Sequence, residues 1–103
     1  VADEFLMAAD PGMLDFFGQI AAELRALFAI DRAEAVARLN HAWGPLSFAP
    51  YPDLVCHESA EYWAYGLYYG DVPFWDEDAD RTGWRVRPLP PDDSPAWTLP
   101  RGG

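Results

Sequence analysis

His57 and Glu61 stand four residues apart in "HESAE", the separation at which two side chains share one face of a helix and can grip one metal ion. With Cys56 and the only other histidine, His41, they make a ligand set of the types zinc accepts. The competing reading is an ordinary ion pair between neighbours one helical turn apart. Cys56 beside His57 also raises a thiol nucleophile. Adjacent helical residues point about 100° apart, however, and Cys56 falls on the apolar side of the helix, so a buried, inert thiol is expected.

A zinc-protease helix would place a second histidine where Glu61 stands, so that motif is only half present. Asp76, Asp78 and Asp80 repeat at every second residue, as the first ligands of a calcium loop do. Such a loop then demands Gly where this chain has Arg81, and Glu where it has Arg87. Two cations at those places leave an acidic turn rather than a calcium site. No phosphate loop, nucleophile elbow or dinucleotide fingerprint occurs. No cofactor is expected, and no catalytic residue is assigned.

The stronger signal is aromatic. In "EYWAYGLYYG", residues 61–70, Tyr62, Tyr65 and Tyr69 recur at i, i+3 and i+7 and form one column on a helix. Cys56, Ser59, Ala60, Trp63 and Leu67 fall together on a second side, which reads as the core stripe. Glu58, Glu61 and Asp71 rim the tyrosines, and Trp75 follows in the acidic run "PFWDEDAD". Two explanations suit such a column. Either the proline-rich end of the chain folds back over it, or it is a binding surface, since Tyr and Trp give large contact area at low entropic cost.

Helices must position these residues. In 11–30, Met13, Phe17, Ile20, Leu24 and Leu27 are spaced 4, 3, 4, 3, a helical seam widened by Phe16 and Phe28. Asp10-Pro11 opens that helix with a cap acceptor and a residue whose missing N–H costs nothing there. Residues 31–43 read as a second helix, with Asp31 and Glu34 at capping-box spacing and Gly44-Pro45 as its stop. Ala33, Val36, Ala37, Leu39 and Trp43 give it an apolar side; Arg32 and Arg38 face elsewhere. The third helix spans about 54–69, started by Asp53 or Ser59 and ended at Gly70. Six of the ten prolines follow Gly70. There "PFWDEDADRTGWRVRP" predicts a β-hairpin, with Arg85 and Arg87 across from Asp76 and Asp78. Beyond Pro88 an extended arm is expected, anchored by Leu89, Trp97 and Leu99. The fold class is therefore mostly α: a small three-helix bundle over about 10–70, wrapped by a C-terminal hairpin and a proline-rich arm over about 71–103, all in one domain of 103 residues.

Composition narrows the partners. Seventeen acids against seven basic residues leave a formal charge of −10. No basic patch exists to neutralise phosphates, so nucleic acid and anionic membranes are excluded as partners. The field accelerates capture of a basic protein. No apolar run approaches the ~20 residues of a membrane span. "VADEFLMAAD" lacks the basic region and apolar core of a signal peptide, and the lone Cys56 suits a reducing setting, so a cytoplasmic location is expected. Every basic residue is Arg and Asn40 is the single Asn, which is the mark of a GC-rich bacterial genome. The first functional reading is a small, acidic, non-catalytic protein-binding module, most concretely a bacterial immunity or antitoxin-like inhibitor of a basic partner. A metal-binding protein or small enzyme using His57 and Glu61 is the second. A homodimeric accessory subunit, joined through the Tyr column or the first helix, is the third.

Overall fold

The computed structural model describes residues 4–100. In chain order these form α1 (Pro11–Phe28), α2 (Arg32–Trp43), a 3-10 turn (Leu54–His57), α3 (Ala60–Tyr68) and a second 3-10 turn (Arg81–Gly83). α1 is the central element and packs along both α2 and α3, which touch each other much less. Among the described residues no helix is long and apolar enough to cross a membrane.

α1 begins where the sequence says it should. Asp10 accepts a hydrogen bond from the Met13 N–H at 2.9 Å. Its other oxygen accepts from the Tyr51 N–H at 3.1 Å. One carboxylate thus caps the helix and anchors the loop that follows α2. Gly12 makes that docking feasible, because a Cβ there would lie 2.6 Å from Tyr51 Cβ. Met13, Phe17, Ile20 and Leu24 are fully buried, each contributing roughly 1.5–3 kcal/mol relative to exposure. The seam turns outward at Leu27, which is exposed, and Phe28 replaces it by reaching sideways to α3. Ala29 then adopts a left-handed conformation (φ 56°) to close the helix. Asp31 starts α2 two residues later, accepting from the Glu34 N–H at 2.8 Å.

α2 departs from expectation. Arg38, expected away from the apolar side, is buried, and so is Asn40. Asn40 Oδ1 accepts from the Leu6 N–H at 2.8 Å, while Nδ2 donates to the carbonyls of Glu4 at 2.8 Å and Ala96 at 3.0 Å. Thr98 Oγ1 donates to the same Glu4 carbonyl at 2.6 Å. One amide therefore ties both ends of the described chain to α2. Phe5 and Met7 enter the core beneath this clasp. Arg32 adds a two-pronged pair to Glu4, with both N···O distances 2.9 Å; those hydrogen bonds raise the Arg32 pKa. Arg38 donates to Glu34 and to the Arg87 carbonyl, each at 2.9 Å.

Two expectations for the C-terminal half are corrected. The third helix is not continuous over 54–69. Asp53 caps only the 3-10 turn, and Ser59 caps α3 by accepting from the Tyr62 N–H at 3.1 Å. Both candidate caps are used, and the extended Glu58 between them breaks the helix. Gly70, at φ 102°, follows the C-cap Tyr69 as expected.

The β-hairpin is absent: the described residues contain no β-strand, only one isolated parallel bridge between Ala8 and Ser47. Local aspartates explain this. Asp76 accepts from the Asp78 N–H at 2.9 Å and Asp80 from the Thr82 N–H at 3.0 Å, so the backbone closes a series of tight turns instead of a ladder. Arg85 and Arg87 form no ion pair with Asp76 or Asp78. The Arg87 N–H instead donates to the Tyr68 carbonyl at 2.7 Å. The arm beyond Pro88 lies against the bundle, but its buried residues are Pro90 and Ala96, near α2; Leu89, expected as an anchor, is exposed, and Trp97 and Leu99 are half-buried.

Candidate functional site

α3 is short, and its ring content decides its surroundings. With Ser59 fixing the start, Ala64 and Leu67 face inward and are buried. The tyrosines and Trp63 are half-buried. Trp63 is held by its indole N–H, which donates to the Val55 carbonyl at 2.7 Å.

The Tyr column is covered by two groups that sequence reasoning did not assign to it. Phe28 of α1 stacks on Tyr68 with centroids 3.9 Å apart and meets Tyr65 and Tyr69 edge-on. On the other side, Phe74 stacks on Tyr65 at 4.6 Å and Trp84 meets Tyr69 at 5.4 Å. Arg81 lies 4.6 Å from the Trp84 ring centre and 5.9 Å from that of Tyr65. The cover is thus the turn-rich segment 71–87, not the arm after Pro88. A legible signal was Phe74 behind Pro73, a large ring in an acidic stretch with apolar contact to find.

The cover is incomplete in two places. Trp75 meets Phe74 edge-on at 5.4 Å but keeps 66% of its surface exposed. Its neighbours Asp76, Glu77 and Asp78 are exposed with it, as are Glu58, Glu61 and Asp71. Second, a cavity of about 330 Å³ remains between α2, α3 and the segment after Gly70. Trp43, Trp63, Tyr62, Tyr65 and Phe74 wall it, and Asp71 and Arg87 stand at its border.

The other candidates fare differently. His57 lies on the 3-10 turn and Glu61 on α3, with the break at Glu58 between them, so they do not share a helical turn. No cluster of three His, Cys, Asp or Glu side chains able to hold a metal occurs among the described residues. Cys56 is partly buried, and its sulfur faces the Met13 sulfur at 3.7 Å. Asp80 is held below the usual carboxylate range by the Thr82 hydroxyl, at 2.6 Å, and then by the Thr82 N–H.

No protein family, curated protein or solved structure was found to match this chain.

Proposed function

We propose that this chain is a one-domain, non-catalytic protein-binding module whose aromatic, acid-rimmed face takes a basic partner. The observation that carries this reading is Trp75, an indole left 66% exposed amid a run of exposed carboxylates. An exposed Trp loses little on binding and gains a large desolvated contact, which is why Trp recurs as a binding anchor. The formal charge of −10 steers a cationic protein toward it. The most concrete form is a bacterial immunity or antitoxin-like inhibitor acting in the cytoplasm. The surface comprises Trp75 with Glu58 and Glu61, and it continues into the cavity lined by Tyr62 and Tyr65; Tyr69 lies under Phe28 and Trp84. A metal or catalytic reading through His57 and Glu61 has lost the shared helical turn on which it stood.

Panning a random peptide display on the folded chain tests the proposal. Enriched peptides should be basic with an apolar anchor. Their association rate should fall as salt rises from about 50 to 500 mM, and Trp75→Ala should weaken them at least about tenfold. Enrichment of neutral or acidic peptides would sink it. Light scattering separates the homodimer reading, which a monomer at high concentration removes.

A further inference from the structure

The cavity beside the column is walled mostly by aromatic rings. These rings meet edge to face: Trp43 against Trp63 at 81°, Trp63 against Tyr62 at 85°, and Tyr62 against Phe74 at 65°. Phe74 then stacks on Tyr65 at 8°. The volume, about 330 Å³, lies at the lower end of the range for small-ligand sites. Gly66 contributes to this. A Cβ there would meet nothing within 4 Å, so the absent side chain leaves the helix wall open.

We propose that this cavity binds a guanidinium group, and that the arginine side chain of the basic partner is its source. Aromatic faces carry negative potential and attract cations. The ring cluster already does this twice within the molecule: Arg38 lies 4.9 Å from the Tyr68 centroid, and Arg81 covers Trp84 and Tyr65. Asp71 at the border makes no ion pair among the described residues and supplies the counter-charge. A guanidinium suits the box better than an ammonium. It is planar and weakly hydrated, so it lies against rings with little lost solvation, whereas an ammonium is a compact, strongly hydrated charge that loses more on entering the box. Arg87 opposes any cation. It stands on the wall shared with a second hollow lined by Arg38, His41 and Pro90, and its side chain is exposed to solvent.

The assignment rests on the partner reading only for where the arginine comes from; the cavity's preference is measured alone. The full chain is titrated with N-acetyl-arginine amide, with its uncharged isostere N-acetyl-citrulline amide, and with N-acetyl-lysine amide, while ring resonances are followed by NMR. The arginine probe should shift Trp43 and Trp63 saturably and leave Trp97 unmoved. The citrulline probe should bind at least about tenfold more weakly, as loss of the cation predicts, and lysine should fall between them. Asp71→Asn should weaken the arginine probe several-fold and Arg87→Gln should tighten it. Gly66→Leu should abolish binding while the chain keeps its helical spectrum. Equal binding of citrulline, the absence of saturable shifts, or weaker binding after Arg87→Gln would overturn the proposal. If display enriches basic peptides but the arginine probe fails, the cavity assignment falls and the partner reading stands. If the probe binds but display enriches no basic peptide, the cavity assignment stands and the protein-partner reading falls.

Discussion

α2 and α3 are both covered by irregular chain, and they are covered in opposite ways. Over α2, the cover is fixed by directed hydrogen bonds: Asn40 to Glu4, Leu6 and Ala96, and Arg38 to Arg87. Over α3, Phe74 and Trp84 lie on tyrosines, opposite Phe28 of α1, with one backbone bond from Arg87 to Tyr68. A buried amide satisfies its donors and acceptor in one register only, and leaving any of them unmet costs free energy. Ring contacts are less exacting in angle and offset. The first kind of cover buries Arg38 and Asn40 and leaves a smaller hollow, of about 220 Å³, beside Arg38. The second leaves a cavity and an exposed indole. The difference teaches where to look for binding: on the side held by rings, which can accept a further ring or cation without breaking a hydrogen bond.

Asn40→Ala should give the largest effect that this contrast predicts. It strands the Leu6 N–H and the Ala96 carbonyl, at roughly 1–3 kcal/mol for each buried group left unmet, so a loss of about 3 kcal/mol is expected by urea denaturation. A loss below about 1 kcal/mol would place the hold on α2 elsewhere. Phe74→Ala should cost less, about 1–2 kcal/mol, because the ring is half-buried and its partners can re-pack. If it costs more than Asn40→Ala, the contrast between the two covers is reversed. Trp75→Ala should change stability by no more than about 0.5 kcal/mol while removing peptide binding, which separates the exposed ring from the structural ones.

The smallest effect concerns Asp80. Its pKa is lowered in the folded chain, so its contribution is complete above the unfolded-state value. That contribution disappears as pH falls through the lower folded value. The group is fully exposed, so the consequence for stability is slight. Thr82→Ala should return the Asp80 titration, followed by NMR, toward the ordinary carboxylate range.

The elements were more legible than their covers. The 4, 3, 4, 3 spacing located α1, and Asp10, Asp31 and Ser59 each cap a helix as residues of their type do. Leu27 misled because periodicity cannot say where a seam loses its partner; α1 turns away one residue before its end. Arg38 and Asn40 were missed for a different reason. A polar residue inside a helix reads as solvated, and only distant backbone, at Glu4, Arg87 and Ala96, reverses that. The hairpin failed because alternation in Trp84-Arg85-Val86-Arg87 competes with Asp76 and Asp80, whose side chains capture nearby N–H groups first. For the site, the placing of Tyr62 and Tyr65 on one helix, with Tyr69 at its end, was readable from spacing; Glu58, expected on the same helix, lies before its cap. Phe28, Phe74 and Trp84 were not, since their roles depend on which segments meet in space.

The Glu4 carbonyl, shared by Asn40 and Thr98, has a kinetic meaning as well. The Thr98 bond spans 94 residues of sequence, nearly the whole described chain. Bringing such distant points together carries a loop-closure cost that local helix formation does not. The helices can form and pair before the clasp exists, whereas the clasp needs α2 in place together with both flanking segments. Folding should therefore end with the closing of a ring. Mutations at Asn40 should accelerate unfolding far more than they slow folding.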